Sequence, residues 1–180
     1  MSKGEGGRSQ MASASAEQWY ALQVRHNCEN LAAAWLRDLG IVEYLPVQSA
    51  TLATKTNVTR QHPLFPGYVF CLTDLNVGPK IYTVPYVIRI VGYGKHPTPI
   101  EEAEIEAIRS IVSSCARIEP VSFITTGKRI RLTAGPLTGI SGIMLEAAGN
   151  KKLVVSLPLL QRSLAVRIPV EWATLEPAAS

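Results

Sequence analysis

The chain has 180 residues, 47% of them apolar, with three cysteines, three histidines and a formal net charge of +4. That length holds one domain or two small ones with real cores, and no apolar run is long enough to cross a bilayer. Catalytic and metal chemistry have no foothold: there is no GxSxG, P-loop, GxGxxG or HExxH pattern, and Cys28, Cys71, Cys115, His26, His62 and His96 are scattered without ligand spacing.

No metal site, cofactor or enzymatic activity is therefore expected, and a binding protein is the better reading. The charge is unevenly spread. Residues 1–17 carry two basic and two acidic groups, 18–116 eight of each, and 117–180 eight basic against four acidic. A small basic module suits a nucleic-acid or ribosomal neighbour, and equally an ordinary solvated surface.

In chain order, residues 1–17 are small and polar, without the apolar core of a signal peptide, and read as a disordered tail of a cytoplasmic protein. The cysteines are then expected as reduced, buried small hydrophobes. Trp19–Arg25 predicts an opening strand. Asn27 is a candidate N-cap for a helix whose apolar stripe is Cys28, Leu31, Ala32, Trp35 and Leu39, ended by Gly40. Ile41–Gln48 predicts a second strand, and the alternating stretch that follows predicts an exposed two-stranded ribbon. Tyr68–Leu72 and Val87–Val91 predict further strands, with an ambiguous segment from Asp74 to Pro85 between them. Thr98-Pro99-Ile100-Glu101 predicts a capped helix start. Ile105, Ile108, Ile111 and Val112 follow as its apolar stripe, opposite Glu102, Glu106 and Arg109. The four glutamates at 101, 102, 104 and 106 complement the helix dipole there.

Beyond residue 115 the pattern changes to short β-rich runs at 129–132, 143–146, 153–157, 164–168 and 172–175, the spacing of a small barrel. The expected organisation is thus a tail over 1–17, an N-terminal domain over 18–115, a linker over 116–126 and a β domain over 127–177.

Three stretches carry candidate sites. In Phe65-Pro66-Gly67-Tyr68, proline and glycine suit the centre of a type II turn, and alternation sends Tyr68 and Phe70 to one sheet face. Phe65, Tyr68 and Phe70 could form a rigid aromatic platform for a partner helix, or simply fill a core. In residues 127–144 most glycines belong to barrel corners, leaving Leu137 as a candidate contact. In residues 157–166, Leu159 and Leu160 beside Gln161 and Arg162 could be core or an exposed apolar knob.

With Trp19-Tyr20, LFPGYVF at 64–70, VIRIVGYGKHPTPI at 87–100 and the glycine-rich stretch of 127–144 in this order, the chain resembles the NusG family of bacterial transcription elongation and antitermination factors. The glycine-rich stretch resembles a KOW motif. The resemblance implies an α+β fold: an N-terminal antiparallel sheet flanked by helices, followed by a small SH3-like KOW barrel. It implies docking on the clamp helices of RNA polymerase through Phe65, Pro66, Gly67, Tyr68 and Phe70, with Tyr20, Leu22 and Gln23 nearby, and suppression of pausing or termination. A second polymerase contact would fall at Asn76, Val77, Gly78 and Pro79. Leu137, Leu159, Leu160, Gln161 and Arg162 match the family's surface for a small-subunit ribosomal protein or Rho.

General members carry phenylalanine where Leu137 and Leu160 stand. That difference, with the short linker, resembles a specialised paralogue serving particular operons. Such paralogues also read non-template DNA, and nascent RNA is a further possible ligand, but no residue set for either can be placed. The chain is expected to act as a monomer, away from membranes. The alternative reading is an RNA-binding or ribosome-associated module in which the basic β domain does the binding, with a steep salt dependence.

Overall fold

One strand, buried on both faces, sends alternate side chains to two apolar clusters in the N-terminal half. The computed structural model describes residues 17–51, 59–75, 80–114, 118–122, 124, 127–147 and 150–176. Its first elements are β1 (Gln18–Val24), α1 (Glu29–Asp38), β2 (Val42–Tyr44), β3 (Val47–Thr51), β4 (Thr59–Pro63), β5 (Tyr68–Thr73), β6 (Val87–Ile90), β7 (Gly92–Tyr93), β8 (His96–Pro97) and α2 (Glu102–Ser113). Four strands form an antiparallel sheet in the order β2-β5-β1-β6. Tyr20, Leu22 and Val24 of β1, with Val69 and Cys71 of β5, pack against Ala32, Ala33 and Leu36 of α1. Trp19 and Ala21, with Phe70, lie on the other face in a cluster with Ile105, Ile108 and Ile111 of α2.

Several local expectations shift. Cys28, not Asn27, stands at the N-cap of α1, and Asn27 takes a left-handed φ of 61°, which a short polar side chain tolerates. The buried stripe of α1 is Glu29, Ala32, Ala33 and Leu36, so Leu31 and Trp35 are exposed and Cys28 is half-buried. Small alanines let the helix approach the sheet closely and leave the bulky stripe outside. Cys71 is buried as expected, and burial pushes its thiol up to about 12.

The expected second strand is split by Leu45-Pro46 into β2 and β3, and β3 pairs with β4 as the ribbon. Within the ambiguous segment, Lys80–Thr83 form one 3-10 turn. The α2 stripe appears as read, with all three isoleucines fully buried, but its start does not. Glu101 occupies the N-cap without a side-chain bond, while the Thr98 hydroxyl serves the β7–β8 hairpin through Tyr93 N and His96 O.

The C-terminal half contributes β9 (Ile118–Ser122), β10 (Lys128–Leu132), β11 (Ser141–Ala147), β12 (Asn150–Leu157), β13 (Arg162–Arg167) and β14 (Ala173–Leu175). They make one six-stranded antiparallel sheet in the order β14-β10-β11-β12-β13-β9. Residues 118–122, read above as linker, are therefore a strand, paired with β13 from Ile118↔Val166 to Ser122↔Arg162. The Ile118 and Val121 side chains give that strand something to bury. Gly142 permits a close approach between β11 and β12, since a Cβ there would lie 2.5 Å from the Val154 carbonyl oxygen. At the outer edge Glu176 accepts from Ser141 (2.7 Å) and Arg131 (2.8 Å). These two bonds hold its carboxyl below the ordinary glutamate range.

The two sheets are not independent. The α2-side cluster of the first sheet runs on into the apolar interior of the second, through Ile118, Ile140, Val155 and Leu160 among others. The isoleucines of α2 are fully buried in that shared cluster, while Ala103, Ala107 and Ser110 border a groove of about 760 Å³ shared with Ile140, Ile143 and Val155. At the ribbon, the Gln48 carboxamide, oriented by its hydrogen-bonding surroundings, donates to Ile118 O (2.9 Å) and accepts from Ile118 N (3.0 Å).

Candidate functional site

The Phe65–Tyr68 turn is the organising feature. Tyr68 N donates to Phe65 O at 3.1 Å, and Gly67 has φ +84°, the value of the third residue of a type II turn and one that L side chains avoid. Both peptide groups of Gly67 are held from outside the turn. Its N–H donates to Glu29 Oε1 at 2.7 Å, and its carbonyl accepts from Val24 N at 2.8 Å.

Behind the turn the aromatic rings form a connected series. Phe65 meets Phe70 edge-on, with ring centres 5.7 Å apart and planes at 88°, and Phe70 meets Tyr44 at 6.2 Å. The Arg109 guanidinium lies 5.0 Å from the ring centres of both Trp19 and Tyr44, and pairs with Glu106 at 2.7 Å. Burial, the largest influence, pushes the Tyr44 hydroxyl up to about 12. That hydroxyl is buried and has no hydrogen-bond partner among the described residues. Tyr44→Phe removes a desolvated polar group without opening a cavity, so thermal unfolding should show stability unchanged or raised by up to about 1 kcal/mol. A clear loss would mean the hydroxyl has a partner after all.

The core alternative holds for two of the three expected platform aromatics: Phe65 is 2% exposed and Phe70 fully buried, while Tyr68 is half-buried. Pro66 is exposed and Gly67 partly so. On β1 only Gln23 belongs beside them. It lies opposite Tyr68 in the register and accepts from Arg89 Nε at 2.8 Å. Tyr20 and Leu22, expected nearby, face α1 instead, because alternation along β1 puts 19, 21 and 23 on one side and 20, 22 and 24 on the other. Asn76, Val77, Gly78 and Pro79 lie outside the described residues.

In the C-terminal sheet, Leu137 (2% exposed) and Leu160 (5%) are buried rather than displayed. Leu159 is half-buried against the same cluster. Gln161 and Arg162 are exposed, Gln161 turning the chain at φ 52° with its side-chain nitrogen on Pro158 O at 2.8 Å. The structure brings together two sites that the sequence kept nearly a hundred residues apart: Leu64 and Pro66 line one crevice with Pro120, Val121, Ser122, Arg162 and Ser163. Glu29, Tyr44 and Arg109 are the members that sequence reasoning missed. A charge at a helix start and an arginine on an apparently polar face gave no signal of inward partners.

Among the described residues no group of three or more His, Cys, Asp or Glu could hold a metal, and no helix is long and apolar enough to cross a membrane.

This architecture, an antiparallel sheet with α1 and α2 followed by a second, all-β sheet, matches that of known transcription factors. The family model described as "Transcription termination factor nusG" matches residues 17–109. The NusG transcription termination/antitermination protein of Campylobacter jejuni is 32% identical over 173 residues, covering 86% of this chain and 94% of that one. The corresponding Helicobacter pylori protein is 28% identical over 165 residues, covering 83% and 93%. A solved structure reported as "Domain interaction in Thermotoga maritima NusG" shares the fold, with a TM-score of 0.54 and 18% identity over 87% of this chain and 96% of that one. The chain belongs to the NusG family of transcription termination/antitermination factors.

Proposed function

We propose that this NusG-family factor binds RNA polymerase through the Pro66-Gly67-Tyr68 turn and adjoining Gln23, with Phe65 and Phe70 as the packed base that keeps the turn rigid. A protein that fits only the elongating form of the polymerase clamp shifts the enzyme toward that form and away from pausing or termination. The C-terminal sheet is, on this reading, a KOW barrel running from 118 rather than 127, and Arg162 with its neighbours forms the partner surface for a ribosomal protein or Rho. Asn76–Pro79 remain the proposed second polymerase contact, and the setting is the cytoplasm.

The observation that carries this reading is the shared crevice of Pro66 and Arg162. Pro66 lies beside the chain's own C-terminal sheet, so on this reading polymerase and that sheet compete for one side of the turn. The RNA-module alternative is less well supported. Of the eight basic residues in 117–180, Arg129 and Arg131 pair with Glu176 and Lys152 pairs with Glu119, which leaves a smaller positive surface for phosphates.

Tyr68→Ala is the direct test, because Tyr68 is half-buried and its loss spares the Phe65–Phe70 contact. Titrated into purified core RNA polymerase, the full-length variant should bind about tenfold or more weakly, the loss typical of an aromatic anchor. Wild-type affinity in a folded Tyr68→Ala chain would reject the turn as the contact.

A further inference from the structure

Among the described residues Glu29 is the one charged side chain that is buried, at 4% exposure, and the proposed polymerase contact does not use it. A buried carboxylate is costly unless it is bonded. Its bond here is to the central peptide of the turn proposed to meet the polymerase, through Gly67 N at 2.7 Å. His26 stands at the rim, Nδ1 3.9 Å from Glu29 Oε1, and the first turn of α1 supplies a favourable field. Types I and II turns differ by a flip of the central peptide, the one that carries the Gly67 N–H. An acceptor fixed on one side of that peptide selects one orientation. The left-handed Asn27 and the Cys28 N → Arg25 O bond (3.0 Å) bend the chain so that Glu29 arrives beside the turn.

We propose that Glu29 is a positioning residue for the polymerase contact: its carboxylate holds the Pro66–Gly67 peptide in the type II orientation and so sets the direction in which Pro66 and Tyr68 are presented. This rests on the turn being the polymerase contact, so Tyr68→Ala is measured alongside.

Two conservative variants separate this role from a charge that merely favours the helix start. Glu29→Gln keeps the reach and an acceptor oxygen but loses the charge. Glu29→Asp keeps the charge at the helix start but withdraws the oxygen from Gly67. Positioning predicts that full-length Glu29→Gln binds core RNA polymerase within about threefold of wild type, while Glu29→Asp and Glu29→Ala weaken it about tenfold, the worth of one hydrogen bond to a charged group. In proton–nitrogen correlation spectra the Gly67 amide should move upfield in the Asp and Ala variants and stay downfield in Gln.

A helix-start charge predicts the reverse order, with Asp like wild type and Gln impaired, and that order would overturn the proposal. So would an unmoved Gly67 amide in Glu29→Ala. If Tyr68→Ala is weakened while Glu29→Asp and Glu29→Ala bind as wild type, positioning falls and the contact stands. If Tyr68→Ala binds as wild type, the contact itself falls, and the positioning role with it.

Discussion

Phe70→Ala is expected to lower the stability of the protein by about 3–5 kcal/mol, the cost of emptying a fully buried phenylalanine site. Phe70 has no exposed surface and touches rings on two sides, Phe65 edge-on and Tyr44 tilted. It sits on a central strand, between β2 and β1, so the sheet cannot collapse around the hole without losing pairing. Against a typical total of about 5–15 kcal/mol, the loss takes a large share of the folded state's margin. Urea unfolding followed by tryptophan fluorescence reads it directly, because Trp19 lies in the same cluster. A change below about 1 kcal/mol would mean that Phe70 is not packed as described. The same packing makes Phe65→Ala a poor binding test, since it would lose stability and contact together.

Ala107→Glu is expected to raise affinity for RNA polymerase. Ala107 lies on the small-residue face of α2, across the groove from Ile140 and Val155 and on the same helix as Glu104 and Glu106. A longer side chain there crowds the second sheet across the groove, whose lining also includes Arg129, Ser141 and Ser156, so bulk rather than unsatisfied charge drives the release. The fully buried Ile105, Ile108 and Ile111 of α2 are left in place by this change. If the docked arrangement hides the turn, apparent affinity is scaled by the open fraction. A chain open about one-tenth of the time then gains at most about tenfold when fully released. Hydrogen exchange at the Ile118 amide, which Gln48 caps when docked, should quicken in parallel. Faster exchange with unchanged affinity would show that docking does not hide the contact.

The sequence made the N-terminal sheet, the α2 stripe and most C-terminal strands legible because each rests on short-range periodicity. Ile105, Ile108 and Ile111 read as one face whatever they pack against. What it hid depends on distant partners. Arg109 looks like a solvated residue until Trp19 and Tyr44 are folded beneath it. Glu29 looks like a helix-start charge until Gly67, 38 residues away, comes within reach. The strand at 118–122 was missed because Pro120 and a polar flank read as linker, whereas an edge strand tolerates both. Tyr20 and Leu22 came with Gln23 from the resemblance as one run of the opening strand, and alternation along β1 puts them on the opposite face from it. The turn itself was read from Pro66-Gly67 alone, and its glycine takes the φ that the reading required.

Equilibrium titration of purified core RNA polymerase with three full-length chains in one series tests the central claim most directly. Ala107→Glu should bind most tightly, wild type next and Tyr68→Ala least. Equal affinities for all three, with each chain folded, would contradict both the turn as the contact surface and the docked C-terminal sheet as its cover.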